Sequence, residues 1–207
     1  MKKYISVLKN CGLFKDIEEE NLIAMLGCLG AKVINVRKNE VIFQEGTNAK
    51  FLGIILSGTV QMVQDDFYGN RSIISHHDQG ELFAESFACA NIETMPVSGY
   101  AVKDSHIMLL SCQKVLTVCS SACRFHNQLV KNLLRVVAQN NLDLNNKITF
   151  MSQKTTKEKL MSYLLNQAKY HGSPEFTIPF DRQALADFLG VERSAMSTEL
   201  GKLQKAG

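Results

Sequence analysis

The sequence has little that would favour disorder or a membrane location. It contains only three prolines among 207 residues and no long polar tract, and this composition argues against extensive disorder. No apolar run reaches the roughly 20 residues that a membrane-spanning helix needs. Near the N-terminus, Lys9, Asn10 and Lys15 interrupt any stretch that could serve as a signal peptide. We therefore expect a globular, cytoplasmic chain of one or two domains, with no membrane partner.

The sequence also lacks the motifs of common enzymes and metal sites. It has no glycine-rich phosphate loop and no arrangement that pairs a nucleophile with a base. His106, His126 and His171 stand alone, without the spacing of zinc ligands. Its six cysteines are expected to be reduced in a cytoplasmic chain. We therefore predict that the protein is not an enzyme and has no metal site.

Neither positive nor negative charge is in large excess in this sequence. The net charge of +3 is too small to indicate a nucleic-acid partner by itself. Between Arg124 and Tyr170, however, eight Lys and Arg residues face only two acidic residues, Asp143 and Glu158. Such a segment could supply phosphate contacts, although a solvated helix face would have the same composition.

The hydrophobic pattern divides the chain into helical, strand-rich and again helical parts. An amphipathic helix is predicted over residues 17–29. From Ala31 the sequence alternates between apolar and polar residues, and Gly46, Gly58, Gly69 and Gly80 recur at the spacing of turns. This pattern favours an antiparallel β-barrel or jelly roll. A long helix over about residues 121–151, another helix after residue 153 and a short strand at residues 177–180 are predicted to follow.

The last stretch, DRQALADFLGVERSAMSTELGKLQKAG, contains two short helical patterns joined by a turn at Gly190. Asp181 is the predicted N-cap of the first helix. Met196, Leu200 and Leu203 give the second helix a buried side, and its other side is polar. This is the layout of a helix-turn-helix whose second helix enters a DNA major groove. An ordinary helical hairpin with a solvated polar face would give the same local pattern.

The order of barrel, long helix and helix pair resembles the Crp/Fnr family of bacterial transcription regulators. The resemblance is carried by FQEGTNAKFLGIILSGTVQMV and GELFAES in the barrel and by RQALADFLGVERSAMSTEL at the end. It implies an α+β protein with an N-terminal antiparallel β jelly-roll barrel, a long central dimerisation helix and a C-terminal winged helix-turn-helix whose wing is missing from this chain. The corresponding domains are 1–120, a cyclic-nucleotide-binding-like effector domain, 121–152, the dimerisation helix, and 153–207, the truncated DNA-binding domain.

The resemblance implies double-stranded DNA, a second copy of the chain and RNA polymerase as partners. Arg193 is the foremost candidate for a base contact, because a guanidinium can bond bidentately to guanine. Thr198 stands where many relatives have a second arginine, so a different sequence preference is expected. The candidate DNA-binding residues are Arg193, Ser194, Ser197, Thr198, Lys202, Arg182 and Gln183.

The long helix is the predicted dimer seam. Its apolar residues follow a three-four spacing that is close to a heptad period. The same stripe could instead pack against the barrel of its own chain. The predicted seam consists of Val130, Leu133, Val137, Asn140, Leu144, Ile148 and Met151.

The predicted effector pocket departs from the cyclic-nucleotide-binding pattern of the family. Glu85 matches the residue that contacts the ribose, but Ala84 replaces a glycine and Met95 replaces the arginine that holds the phosphate. Loss of a charge-assisted contact weakens phosphate binding, so the effector is predicted not to be cyclic AMP. Equally, the same residues could simply fill the barrel. The candidate pocket residues are Phe83, Ala84, Glu85, Ser86, Met95, Pro96, Val97, Ser98, Leu144 and Asn145.

No cofactor is predicted. One branch of the family holds an iron-sulfur cluster through closely spaced N-terminal cysteines, whereas this N-terminal region offers only Cys11 and Cys28. Cys119 and Cys123 lie four residues apart, but clusters normally need four ligands. Haem ligation by His76 or His77 is disfavoured because histidines in exposed loops are far commoner.

Two functions remain open on the sequence. The first is a homodimeric transcription regulator that binds DNA under the control of an unidentified small effector. The second is a small-molecule sensor module that acts through a protein partner and binds no specific DNA. Loss of promoter binding in an Arg193→Ala variant would favour the first.

Overall fold

The computed structural model of the chain describes residues 2–69, 71–117 and 124–206. The fold divides into two compact units. The first unit combines Met1–Gln64 with Ile74–Gln139, and the second combines Asp65–Ile73 with Asn140–Gly207. Across the described ranges, no helix has both the length and the apolar character needed to cross a membrane.

Short helices precede the strands. These are 3-10 turns at Lys2–Tyr4 and Gly12–Phe14, with α1 at Ile5–Asn10 and α2 at Glu19–Cys28. Helix α2 confirms the amphipathic helix predicted over residues 17–29, and it buries Leu22, Met25 and Leu26. The shorter helical segments were not predicted, because a helix of six residues is too short to show a clear period.

The strands form two four-stranded sheets and not a closed barrel. Their bounds are β1 Lys32–Val36, β2 Val41–Phe43, β3 Phe51–Ser57, β4 Val60–Asp65, β5 Arg71–His77, β6 Leu82–Phe83, β7 Ser98–Ala101 and β8 Ser105–Ser111. The strand order is β1-β8-β3-β6 in one sheet and β2-β7-β4-β5 in the other. Strand β8 pairs antiparallel with β1 and β3, and β7 pairs antiparallel with β2 and β4. The predicted antiparallel jelly roll is therefore confirmed as two sheets.

Strand β3 is buried on both faces, because each face packs against a different layer. Leu52, Ile54 and Leu56 join a core that the sheet shares with the helices of the first unit. Ile55 points the other way, into a second core that contains residues of both sheets. Gly53 pairs with Phe83 of β6, and a Cβ at Gly53 would lie 2.2 Å from the Phe83 ring. Only glycine therefore fits at this position.

Three helices complete the first unit: α3 at Glu85–Cys89, α4 at Cys112–Leu116 and the first half of α5, which runs over Arg124–Met151. Helix α5 confirms the predicted long helix from residue 124 onward, and the predicted start at residues 121–123 lies outside the described residues. Its first half is anchored by hydrogen bonds. The side-chain amide of Asn132 donates to the carbonyl of Leu13 at 3.1 Å and to that of Lys15 at 2.6 Å.

The second unit contains the end of α5 and three further helices, α6 at Thr156–His171, α7 at Arg182–Leu189 and α8 at Arg193–Ala206. Their shared core is built around Tyr163, Leu185, Leu189 and Met196. Residues 177–180 form no strand, so the strand predicted there is wrong. Ile178 and Phe180 instead pack on the helical core, which explains their apolar character.

Candidate nucleic-acid interface and effector region

Helices α7 and α8 form the predicted helical pair, and local contacts fix its ends. The Asp181 carboxylate accepts a hydrogen bond from the Ala184 N–H at 2.8 Å, as expected of an N-cap. Gly190 ends α7 in the left-handed conformation, with φ of 60°. That conformation costs a residue with a side chain more than it costs glycine. The N–H of Val191 returns to the Ala186 carbonyl at 3.1 Å and closes the turn.

One side of α8 is held in the core of the second unit. Met196 is completely buried among Leu160, Leu185 and Leu189, and Leu200 and Leu203 pack at the edge. Next to this group, the Tyr163 ring lies 5.7 Å from the Phe188 ring, in an edge-to-face arrangement. Burial of these apolar side chains orients the opposite side of α8 toward solvent.

The exposed side of α8 carries most of the predicted DNA-binding residues. Arg193, Ser194 and Thr198 are exposed and Ser197 is half-buried. The Thr198 hydroxyl donates to the Ser194 carbonyl at 3.0 Å, which leaves its methyl group and a hydroxyl lone pair for a partner. These side chains therefore form one polar surface on the first two turns of the helix.

Two further predicted DNA-binding residues have side-chain partners on their own helices. The Lys202 ammonium lies 2.7 Å from the carboxylate of Glu199, three residues earlier on α8. The Gln183 side-chain amide donates to the Asp187 carboxylate at 2.8 Å on α7. Arg182, at the start of α7, is exposed. The charge of Lys202 is thus partly neutralised by Glu199.

A groove beside α8 was not predicted. It is lined by Thr155, Thr156 and Lys157 at the start of α6 and by Ala195, Thr198 and Glu199 on α8. The start of α6 is fixed by a capping box, in which Thr155 and Glu158 exchange two hydrogen bonds. The T-x-x-E spacing of the capping box could have located this helix start, but only the fold brings it beside Thr198.

The described residues of α5 expose an apolar face. Leu134 is 69% exposed and Ile148 is 64% exposed, and they lie two heptads apart on one side of the helix. Leu144 and Met151 are exposed as well, and Asn145 donates to Asn141 at 3.1 Å on the same side. The other predicted seam residues are less exposed. Leu133 is buried in the first unit, Val137 packs against the same core, and Val130 and Asn140 are half-buried.

The predicted pocket residues of the first unit fall into two groups. Phe83, Ala84, Met95 and Val97 are buried together in the core between the sheets. Met95 also holds the chain in place, because its N–H donates to the Thr47 carbonyl at 2.7 Å. Ser98 is buried and its hydroxyl accepts from the Glu45 N–H, whereas Ser86 and Pro96 are exposed. Leu144 and Asn145 are exposed residues of the second unit.

Glu85 is a buried carboxylate at the start of α3. It is 3% exposed, and its Oε1 accepts a hydrogen bond from the Ser86 hydroxyl at 3.0 Å. Burial lowers the pKa of His77 to about 4, while the charge of Glu85 acts in the opposite direction. His77 is therefore neutral at physiological pH, and its Nε2 lies 2.8 Å from the Ser75 hydroxyl.

The exposed loop predicted for the two adjacent histidines is wrong. His76 and His77 end strand β5 and are half-buried. The two β-branched residues Ile73 and Ile74 could have indicated a strand. The ring of His77 lies 6.3 Å from the buried ring of Phe83. His77 therefore belongs to the surroundings of the predicted effector region, although it was not among the predicted pocket residues.

The described cysteines do not fit an iron-sulfur cluster. Among the residues that the structure describes, no three His, Cys, Asp or Glu side chains are grouped as a metal ion would require. Cys11 is buried in the helical core, which raises the pKa of its thiol to about 12, and Cys28 is exposed on α2. Cys119 and Cys123 lie outside the described residues.

Comparison with known proteins agrees with this architecture. Residues 33–122 match the cyclic nucleotide-binding domain family, and residues 158–207 match the Crp-like helix-turn-helix domain family. The chain is 23% identical over 177 residues to the regulatory protein HlyX of Actinobacillus pleuropneumoniae, and the match covers 83% of this chain and 71% of that protein.

Two solved structures show a similar fold. FixK2 from Bradyrhizobium japonicum has a TM-score of 0.67 and 20% identity, over 86% of each chain. The c-di-GMP-responsive global regulator CLP from Xanthomonas campestris has a TM-score of 0.72 and 16% identity, over 89% of this chain and 91% of its own. With a cyclic nucleotide-binding domain, a long helix and a Crp-like helix-turn-helix domain in this order, the chain belongs to the Crp/Fnr family of transcription regulators.

Proposed function

We propose that the protein is a homodimeric transcription regulator that inserts α8 into the DNA major groove. The observation that carries this proposal is the division of α8 into a buried side at Met196 and an exposed polar side at Arg193, Ser194 and Thr198. The buried side fixes the rotation of the helix about its axis. The exposed side then presents a guanidinium and hydroxyl groups, which suit the edges of guanine and of other bases.

Phosphate contacts would come from the surroundings of α8. Lys157 lies in the groove beside Thr198, and Arg182 is exposed at the start of α7. Cations near a recognition helix hold it in register on the duplex without specifying sequence. Glu199 lines the same groove and would oppose a phosphate there. We therefore expect a moderate affinity with a strong dependence on salt.

Dimerisation would use the exposed apolar face of α5, centred on Leu134, Leu144 and Ile148. Pairing two such helices removes these side chains from water, which is the driving force of a coiled coil. The hydrogen-bonded Asn141 and Asn145 would cost some stability there and would specify the register of the pair. In such a dimer, the two α8 helices would contact half-sites about 34–36 Å apart.

The effector would be a small molecule other than cyclic AMP. Met95 is buried and apolar where the resembling proteins have an arginine, and the neighbouring Phe83 and Val97 are apolar too. A phosphate placed among them would lose its hydration without gaining a positive partner. An effector controls DNA binding only if it has different affinities for the two states of the dimer.

This function places the protein in the cytoplasm beside RNA polymerase, with no catalytic role and no metal cofactor. The sequence motifs that support it are those of the Crp-like helix-turn-helix domain. They do not include an acid, base and nucleophile arrangement of the kind that catalysis needs.

Selection from a pool of random DNA duplexes tests this proposal. The wild-type protein should enrich a sequence with twofold symmetry, whose half-sites are centred about one helical turn apart. The same selection with Arg193→Ala should give weaker enrichment and a relaxed preference at one position of each half-site. Enrichment of no sequence by the folded wild-type dimer would contradict the proposal and would favour a sensor that acts through a protein partner.

A further inference from the structure

Two cysteine thiols meet where α3 and α4 pack together in the first unit. Cys89 is the last residue of α3 and Cys112 is the first residue of α4. Their sulfur atoms are 3.5 Å apart, within hydrogen-bond distance for thiols. They are 23 residues apart in sequence, so the fold brings them together and local chain geometry does not.

The other described cysteines are not placed in this way. Cys11 is buried in the helical core and Cys28 is exposed on α2, whereas Cys89 is half-buried beside the buried Cys112. A half-buried thiol admits a small oxidant and a buried neighbour completes the reaction. Reactive thiols are found in such partly accessible positions, while fully buried single cysteines are inert.

The thiols also differ in acidity. The hydrogen bond between them lowers the pKa of Cys112 and raises the pKa of Cys89. The thiolate is the form that attacks an oxidant, and the shared hydrogen bond favours one thiolate beside one thiol within the pair. This preference is secondary to the distance, which already places the two sulfur atoms in contact.

We propose that Cys89 and Cys112 form a reversible disulfide that links α3 to α4. With a peroxide as the oxidant, one thiolate attacks the O–O bond, which breaks to give a sulfenic acid and, from hydrogen peroxide, one water. The second thiol attacks the sulfenic sulfur, the S–S bond forms, the S–O bond breaks and a second water leaves. The two cysteines are oxidised by two electrons and the peroxide is reduced. Closure from 3.5 Å to about 2.05 Å requires only small shifts.

The position of the pair suggests what the bond controls. Glu85 lies at the start of α3, in the predicted effector region, and α4 leads toward the long helix α5. His126 of α5 donates its Nε2–H to the Lys114 carbonyl of α4 at 3.1 Å. A disulfide would therefore join the effector region to a helix that is already bonded to α5. We infer that oxidation alters DNA affinity, and this second step rests on the proposed function.

Peptide mapping of the intact wild-type chain tests the bond directly. The protein is exposed to hydrogen peroxide, free thiols are blocked with N-ethylmaleimide, and the chain is digested with trypsin without reduction. Cleavage at Arg71, Lys103, Lys114 and Arg124 places Cys89 in peptide 72–103, Cys112 in peptide 104–114, and Cys119 and Cys123 together in peptide 115–124. Mass spectrometry should detect peptides 72–103 and 104–114 linked, with the loss of two hydrogens, and dithiothreitol should separate them.

The linkage should be absent from Cys89→Ser and retained in Cys28→Ser, which removes an exposed cysteine. Full blocking of both thiols after peroxide treatment, or linkage of Cys112 to peptide 115–124, would overturn the proposed pair. The mapping uses no DNA, so its outcome is independent of the proposed function.

The regulatory step needs a separate measurement. Reduced and oxidised wild-type protein are compared on the duplex obtained by selection, with Cys89→Ser treated identically. We expect a change in affinity of about fivefold or more in the wild type and none in the variant. If the linked and reduced wild-type proteins bind the duplex with equal affinity, the regulatory step is overturned and the proposal of the disulfide itself still stands. No specific binding by either form would contradict the proposed function instead.

Discussion

The ammonium group of Lys147 lies 4.3 Å from the centre of the Phe188 ring, so a cation on α5 faces an aromatic ring on α7. Lys147 also donates a hydrogen bond to the backbone carbonyl of Ile73 in the same unit. Both contacts favour the charged amine, because a ring face and a carbonyl oxygen are electron-rich. Burial acts against the charge and lowers the pKa of Lys147 from 10.5 to about 8.

The first prediction concerns the pH dependence of stability. Between about pH 8 and 10.5 the unfolded chain keeps the Lys147 proton that the folded chain has released. The unfolded state then binds more protons, so the free energy of unfolding gains a component that rises with pH through this window. In Lys147→Met this component is absent. The wild-type free energy of unfolding should therefore increase relative to that of the variant as pH rises, measured by urea denaturation.

Lys154→Met is the matched control, because Lys154 is an exposed lysine of the same unit. The free energy of unfolding of wild type relative to Lys154→Met should stay constant over the same pH interval, whereas relative to Lys147→Met it should rise. If the free energies of unfolding of wild type and Lys147→Met change in parallel with pH from pH 8 upward, Lys147 is not buried as described.

The second prediction concerns Ala84, which adopts the left-handed conformation with φ of 60° at the start of α3. This conformation costs a residue with a Cβ about 1–2 kcal/mol. Glycine avoids that cost but loses more entropy on folding and removes a buried methyl group, so Ala84→Gly should change stability by less than about 0.5 kcal/mol. Ala90→Gly is the control, because Ala90 has φ of −71° and glycine should destabilise the chain there. If Ala84→Gly unfolds at a lower temperature than Ala90→Gly, the backbone at Ala84 is not strained.

The third prediction concerns the carboxylate in the groove beside α8. Glu199 pairs with Lys202 at 2.7 Å, so it neutralises a cation and opposes phosphate at the proposed interface. Glu199→Gln should raise DNA affinity and steepen its salt dependence, measured by fluorescence anisotropy at several salt concentrations. Glu20→Gln changes the net charge equally at an exposed site of the first unit. An equal gain in both variants would mean that only the total charge matters.

The fourth prediction concerns the exposed apolar face of α5. Ile148→Asp places a charge where two helices would pair, and it should shift the protein from dimer to monomer in sedimentation at micromolar concentration. Leu165→Asp introduces the same charge at a leucine of α6 that is 63% exposed, and it should leave the dimer intact. A wild-type protein that sediments as a monomer would contradict the proposed seam.

The sequence predicted the larger elements because their patterns extend over many residues. The long helix α5, the alternating strands and the helix pair with its Asp181 cap were each supported by several independent signals. The strand expected at residues 177–180 failed because Ile178 and Phe180 are apolar for another reason, namely packing on the helical core. Local alternation cannot distinguish a strand from an extended segment that covers a core.

The sites were harder to predict than the elements. Helix α5 has two apolar stripes, and periodicity alone cannot tell which one covers its own chain. Leu133 was expected at the dimer seam, yet it is buried in the first unit while its neighbour Leu134 is exposed. The contact between Cys89 and Cys112 and the groove beside Thr198 depend on tertiary packing. They had no signal in the sequence.

The central claim is that the exposed side of α8 recognises DNA, and Arg193 tests it most directly. Affinity for the selected duplex is measured by fluorescence anisotropy for wild type, Arg193→Ala and Lys205→Ala. Lys205 is an exposed cation near the other end of the same helix. A guanidinium that contacts a base contributes about 1–3 kcal/mol, so Arg193→Ala should weaken binding by about fivefold or more while Lys205→Ala changes it little. Unchanged binding by a folded Arg193→Ala protein, or an equal loss in both variants, would contradict the account.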